Sequence, residues 1–352
     1  METKQIIRPW WASVFFIALG SALFLTVQNI VDSIINQKYA VASDKLTAAS
    51  AYLFIGGWVG VIICILLGRL ITKVSKHWRT TDKHPLNQPK RWGSFSSVSL
   101  AILAGILGAI STLIQLWGYQ LNDLGVMVAM TNAFILVIVI TEWVQRRVTL
   151  RSFLFPSLLV VGSIVLIAYN STWRTNTSVL LQQAPELLVV LLGFSVFNAF
   201  GSIVSKSAVD NSNSVNVQLI RFVTLAITGS ILTFGWAALR NQTAELIQAS
   251  LHIATTPAVY LLLILLFVAV FASQILELEA KKQNTNVTEV VIVQSLNVGL
   301  GFVAAMIINL LWSGAVGPVP TDTETIIVRI VGVVGLMLAL TLLPRKVASK
   351  NQ

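Results

Sequence analysis

The chain has 352 residues, of which 55% are hydrophobic and only 11% are charged, and its formal net charge at pH 7 is +10. A water-soluble fold with so few charged residues would expose large apolar surfaces, so the composition excludes a soluble protein and predicts an integral membrane protein. The single cysteine, Cys64, excludes a disulfide within the chain.

Ten transmembrane helices are predicted, because apolar stretches of about 20 residues, the length that crosses a bilayer, recur along the whole chain. The first stretch follows Lys4 and Arg8 and continues beyond the length of a signal-peptide core, so it is predicted to remain in the mature protein. No soluble segment of domain size interrupts the series. The predicted spans are residues 10–35, 46–71, 94–120, 124–143, 150–168, 187–206, 215–237, 257–281, 287–312 and 325–343.

The distribution of basic residues predicts the orientation of these spans. If the N-terminus is cytoplasmic, 18 of the 24 Lys and Arg residues fall in inside segments, and only Lys38, Lys45, Arg174 and Arg240 fall in outside segments. This asymmetry follows the positive-inside rule and places both termini in the cytoplasm. The basic loop at 73–93 is therefore interpreted as a topology signal and a contact for anionic lipid, and not as a nucleic-acid site.

Two segments of the sequence match later segments at nearly one offset. A shift of 169 residues pairs Asn29 with Asn198, and a shift of 165 residues pairs Asn132 with Asn297. Each matched half contains five predicted spans, an odd number, so the halves would cross the membrane in opposite directions, which is typical of secondary transporters. The predicted organisation is a first repeat at 1–170, an outside loop at 171–186, a second repeat at 187–345 and a cytoplasmic tail at 346–352.

A family resemblance is carried by the third, fourth and fifth predicted spans. The pattern consists of Gly118-Tyr119-Gln120-Leu121, an Asn122-Asp123 turn, a fourth span through Asn132, and Glu142 followed by Arg146, Arg147 and a fifth span with Gly162. With the five-plus-five arrangement, it resembles the EamA-like branch of the drug/metabolite transporter superfamily. The family usually has proline in the middle of the fourth span, where this chain has Asn132, and the second half has no acidic counterpart of Glu142. The resemblance implies a central cavity, bounded by all spans except the fifth and tenth, that opens alternately to each side.

Polar residues inside the predicted spans are candidates for lining a substrate cavity, because the bilayer does not solvate them. Gln28, Asn29 and Asp32 lie on one face of the first span, since they are spaced three or four residues apart. Asp32 is interpreted either as an outer-gate or proton-coupling carboxylate, or as an interfacial residue at a helix end that pairs with Lys38 or with water. The candidate cavity residues are Gln28, Asn29, Asp32, Trp58, Gln115, Asn132, Asn198, Ser202, Arg221, Gln294 and Asn297.

Several of these candidates have simpler structural interpretations. Asn198 and Ser202 are typical of hydrogen bonding between helices in lipid as well as of a cavity. Glu277 is a second candidate coupling carboxylate, but it precedes Lys281 by one helical turn, the spacing of an ordinary ion pair. Trp58 falls in the middle of the second span, where lipid packing is favoured over a role in the cavity.

An enzymatic function is not supported by the sequence. His77 and Asp82 have the spacing of a histidine base and its orienting carboxylate in membrane acyltransferases, but their loop is short and basic. No zinc-protease helix, nucleophile elbow or phosphate-binding loop occurs, so neither a metal nor a cofactor is predicted.

The sequence therefore predicts a secondary transporter for a small organic solute, such as an amino acid, a metabolite or a drug, with protons as a candidate coupling ion. The alternative is a flippase for a lipid-linked substrate on the same scaffold. We expect a multi-pass protein of the bacterial inner membrane, either a monomer or a homodimer.

Overall fold

The computed structural model describes residues 14–77, 94–145, 150–169, 177–210, 212–283, 287–317, 319–320 and 322–342. Within these ranges the chain forms helices and no β-strand, which confirms the all-α class. The thirteen helices in these ranges are α1 (Val14–Lys38), α2 (Lys45–His77), α3 (Phe95–Leu121), α4 (Leu124–Thr131), α5 (Phe134–Val144), α6 (Leu150–Ala168), α7 (Thr177–Asp210), α8 (Ser214–Leu239), α9 (Thr243–Thr255), α10 (Pro257–Gln283), α11 (Val287–Gln294), α12 (Leu296–Leu311) and α13 (Thr323–Thr341).

Eight segments in the described ranges are long and apolar enough to cross a membrane, so the chain is a multi-pass membrane protein. They coincide with eight of the predicted spans, the first to fourth and the sixth to ninth. The fifth predicted span corresponds to a shorter apolar helix, Leu154–Ala168, at the end of α6. The tenth corresponds to α13, which carries Glu324 and Arg329. The total of ten spans stays a prediction.

The fourth and ninth predicted spans are each interrupted near their middle. α4 ends at Thr131 and α5 begins at Phe134, while α11 ends at Gln294 and α12 begins at Leu296. At the first break the Asn132 side-chain amide donates to the Val128 carbonyl at 2.7 Å, and at the second the Ser295 hydroxyl donates to the Ile292 carbonyl at 2.6 Å. Such bonds from short polar side chains compete with the regular backbone pattern and favour a helix interruption at these residues.

Two helical features were not predicted. α7 begins at Thr177, so residues 177–186 of the expected outside loop are helical. The short helix α9 lies between the seventh and eighth predicted spans. It is attached to the α1–α2 connection because the Ser43 backbone N–H and hydroxyl both donate to the Glu245 carboxylate at 2.5 Å.

Small residues allow the main helix pairs to approach closely, as is usual inside membranes. α1 packs against α10, where the Ser21 hydroxyl donates to the Ser273 carbonyl at 2.9 Å and the Ser273 hydroxyl donates to the Ser21 carbonyl at 3.1 Å. α3 packs against both α7 and α8, and α6 packs against α13. At Gly105 of α3, a Cβ atom would lie 2.8 Å from the Arg221 carbonyl oxygen of α8, so only glycine fits this contact.

Candidate functional site

A cavity of about 190 Å³ lies inside the helix bundle and is lined by both halves of the chain. Its walls come from α1, α2, α3, α7, α8 and α10, and from the breaks in the fourth and ninth predicted spans. Along α3 the lining extends from Ala104 to Leu116. At 1.5 Å per residue this is about 18 Å, more than half of the roughly 30 Å hydrocarbon thickness of a bilayer. The cavity therefore runs along the middle of α3, one of the helices that are long and apolar enough to cross a membrane.

The Asp32 cluster, which consists of Asp32, Gln28 and Tyr52, lies at one end of the cavity. Asp32 is 8% exposed, and its Oδ1 accepts a hydrogen bond from the Tyr52 hydroxyl at 2.6 Å. The Gln28 side chain also hydrogen-bonds the carboxylate. Both donors are neutral, and among the residues that the structure describes no Lys, Arg or His forms an ion pair with Asp32. The predicted pairing with Lys38 is wrong, because the Lys38 ammonium donates to the Ser313 carbonyl at 3.3 Å.

A second polar group lies beside the Asp32 cluster, between α1 and α3. The Asn29 side-chain oxygen accepts hydrogen bonds from the Gln115 amide at 3.2 Å and from the Tyr119 hydroxyl at 3.1 Å. The Gln115 amide also donates to the Tyr119 hydroxyl at 3.2 Å. These bonds orient Asn29 and Gln115, which both line the cavity, so the wall is polar at this level.

Both helix breaks open onto the cavity. Asn132 lines it at the first break, and Gln294 and Asn297 line it on either side of the second. Gln294 is oriented by a hydrogen bond from its amide to the Ser21 hydroxyl at 2.7 Å. The Oδ1 atom of Asn297 is buried and has no hydrogen-bond partner. An unsatisfied buried oxygen is costly, so its presence in a cavity wall is a reason to expect a polar occupant.

The Arg221 cluster consists of Arg221, Gln218, Gln274, Glu277 and Lys281, and all of these except Lys281 line the opposite end of the cavity. The Arg221 guanidinium donates to the Gln274 oxygen at 3.0 Å and to the Gln218 oxygen at 3.3 Å. Glu277 forms a salt bridge with Lys281, as its spacing predicted. Glu277 also interacts electrostatically with Arg221, so one carboxylate lies near two cations.

Ten of the eleven sequence-predicted cavity residues line this one cavity. They are Gln28, Asn29, Asp32, Gln115, Asn132, Asn198, Ser202, Arg221, Gln294 and Asn297. Trp58 does not line it. Its indole donates to the Ser230 hydroxyl of α8 at 3.0 Å, and 42% of its surface is exposed. Trp58 therefore lies on a different face of α2 from Gly56 and Gly57, which line the cavity. The role of the ten residues in substrate binding stays a prediction.

Sequence reasoning missed a buried ion pair between α4 and α13. Two nitrogens of the Arg329 guanidinium each lie 3.3 Å from one oxygen of the Asp123 carboxylate, and Arg329 is 0% exposed. Asp123 also accepts the Val126 backbone N–H at 3.0 Å and thereby caps α4. The two residues are 206 positions apart, so no local pattern relates them. Only the charge of Arg329 inside a predicted span was a signal.

Glu142 also has a role that its sequence position did not reveal. Its carboxylate accepts the backbone N–H groups of Val287 at 2.6 Å and Thr288 at 3.2 Å, and the Thr288 hydroxyl at 2.5 Å. Glu142 therefore caps the N-terminus of α11 from the end of α5. Arg146, its expected local partner, lies outside the described residues.

The described residues contain neither a metal site nor the complete His77–Asp82 pair. In the described ranges no group of three or more His, Cys, Asp or Glu residues is placed to hold a metal ion. Asp82 lies outside these ranges, and the His77 side chain is not described.

No model of a known protein family matches the chain, and no curated protein sequence matches it.

Proposed function

We propose that this protein is a secondary transporter that carries a small organic solute across the membrane by alternating access. The observation that supports it is the cavity, which is lined by both halves of the chain, carries buried carboxylate and amide side chains, and runs along about 18 Å of the membrane-spanning helix α3. A structural core has no need of a buried carboxylate without a basic partner, a charge that costs several kcal/mol in lipid.

The proposal includes ten spans arranged as two inverted repeats, as in the EamA-like branch of the drug/metabolite transporter superfamily. Two features support it. The two broken spans are interrupted within two residues of Asn132 and Asn297, which the repeat offset pairs. In addition, α1 packs against α10 and α3 packs against α7. If α1 corresponds to α7 and α3 to α10, a two-fold axis exchanges these two contacts.

The proposal also places both chain ends in the cytoplasm of a bacterium, with the protein in the inner membrane. Its support is the excess of basic residues in the predicted inside segments. Accessibility of N- and C-terminal tags in intact and permeabilised cells tests the orientation. Labelling of either tag in intact cells contradicts the cytoplasmic location of the chain ends.

In the proton-coupled version of this mechanism, Asp32 takes up and releases the proton. Of the two carboxylates that line the cavity, Asp32 is held only by neutral donors, whereas Glu277 is paired with Lys281. A proton binds more easily to a carboxylate without a competing cation, so we assign coupling to Asp32 and a structural role to Glu277.

Uptake of a radiolabelled solute panel into proteoliposomes, with and without a pH gradient, tests the proposal. We expect uptake of at least one solute, with a pH response that the variant Asp32→Asn loses. The matched control is Asp210→Asn, which removes a 45% exposed carboxylate of the Lys206–Asp210 pair outside the cavity lining. No uptake of any solute counts against transport, and an unchanged pH response in Asp32→Asn eliminates the coupling role. A phospholipid retained through purification favours the flippase alternative.

A further inference from the structure

We propose that the Asp32 end of the cavity binds the protonated amine of the transported solute. This inference rests on the proposed transport function and names the chemical class of its substrate. The first observation is the charge at this end, where Asp32 is buried, lines the cavity and accepts hydrogen bonds only from neutral side chains. An ammonium group supplies the positive charge that the described residues around Asp32 do not.

The second observation is the chemical type of the unsatisfied atoms. Two cavity-lining residues have buried polar atoms without a hydrogen-bond partner, and both atoms are side-chain oxygens, Oε1 of Gln28 and Oδ1 of Asn297. The Gln28 NH₂ group is the part of this side chain that can donate to the Asp32 carboxylate, which leaves Oε1 as an acceptor without a partner. An ammonium group carries three donors and no acceptor, so it matches the Asp32 carboxylate and the unpartnered Oε1 of Gln28.

The third observation is the arrangement of charge at the other end. In the Arg221 cluster the cations Arg221 and Lys281 outnumber the single carboxylate of Glu277. This end repels an ammonium group, whereas the Asp32 end attracts it. The two ends together orient a solute with its amine toward Asp32 and its neutral or anionic part toward Arg221.

Binding of matched small molecules to the full-length protein in detergent tests the assignment without relying on transport. The first set of probes is 2-phenylethylamine, 2-phenylethanol and 3-phenylpropionate, which share a ring and differ mainly in the head group. The second set is butylamine, butanol and butyrate. A charge-assisted hydrogen bond inside a protein corresponds to about ten- to a hundredfold in affinity, so we expect the amine of at least one set to bind that much more tightly.

Three variants determine whether Asp32 causes the preference. Asp32→Asn is expected to reduce the amine preference to less than about threefold, because the charge is lost while the shape is kept. Asp32→Glu retains the charge and is expected to restore a preference of at least about fivefold. Asp210→Asn removes a carboxylate outside the cavity lining and is expected to leave the preference unchanged. Size-exclusion profiles and melting temperatures of the unliganded variants establish that each is folded.

The assignment is overturned if neither set shows an amine preference, or if the preference survives in Asp32→Asn. Flux measurements separate this result from a failure of the transport proposal. Uptake of other solutes without an amine preference refutes the amine site alone, whereas amine binding without flux in proteoliposomes refutes transport and leaves the site.

The amine can belong to a free solute or to a lipid headgroup. Repeating the binding measurement in nanodiscs of phosphatidylethanolamine and of phosphatidylglycerol distinguishes them. Weaker probe binding only in phosphatidylethanolamine shows that the headgroup amine competes for the site. Equal binding in both lipids assigns the site to a free amine.

Discussion

The Asp123–Arg329 pair provides the sharpest test of how the tertiary structure is stabilised. In the variant Asp123→Asn the side chain retains the oxygen that caps α4, because asparagine caps helices as well as aspartate does. The substitution removes only the negative charge and leaves the Arg329 guanidinium, which is 0% exposed, without a counterion. The effect of charge is thereby separated from the effect of capping.

The expected loss follows from the remaining partners of Arg329. Breaking a buried pair by removing one partner costs about 3–5 kcal/mol, since the other charge stays buried. Here the guanidinium still donates to the Tyr169 carbonyl at 3.1 Å and lies 5.8 Å from the centre of the Phe302 ring. These contacts offset part of the penalty, so we expect a loss near the lower limit, about 3 kcal/mol.

The measurement is the free energy of unfolding from a reversible denaturant titration in mixed micelles, followed by tryptophan fluorescence. The control is Asp44→Asn, which alters an α2 cap that accepts the Thr47 N–H at 3.0 Å and has no ion-pair partner among the described residues. Its expected loss is within about 0.5 kcal/mol. The double variant Asp123→Asn with Arg329→Met is expected to be more stable than Asp123→Asn alone. A loss below about 1 kcal/mol for Asp123→Asn would refute the reasoning.

Three further predictions concern packing, capping and pH. Gly105→Ala should lower the melting temperature because its Cβ would lie 2.6 Å from Thr224, whereas Gly162→Ala, with nothing within 4 Å, should be neutral or raise it by its better helix propensity. Glu142→Ala should cost about 1–3 kcal/mol of unfolding free energy, because it leaves buried amides of α11 unpaired, and Glu142→Gln should cost less. Hydrogen bonds from Ser43 lower the pKa of Glu245 below its usual 4.5, so this contact stabilises the protein above pH 4.5 and is lost as the pH falls through the lower folded-state pKa. A melting temperature of Glu245→Gln that falls in parallel with the wild type below pH 4.5 would contradict this last prediction.

The sequence was sufficient to predict the helical membrane class and ten of the 32 residues that line the cavity. A polar side chain inside an apolar span is disfavoured by lipid wherever it lies, so Asp32, Asn132 and Asn297 are identified by composition alone. The sequence alone does not determine the direction in which a side chain points. Trp58 is compatible with lipid, with helix packing and with a cavity, so its sequence position favoured packing without deciding which of these surrounds it.

What the amino-acid sequence determined by itself is the position of eight membrane helices, because hydropathy is a property of each residue and its near neighbours. What only the tertiary structure decided is which distant groups meet. Asp123 finds Arg329 and Glu142 finds the amides of Val287 and Thr288, in each case across more than a hundred residues. Buried charges and backbone amides must be paired wherever the fold brings them, and the choice of partner depends on how the helices pack, which no local pattern encodes.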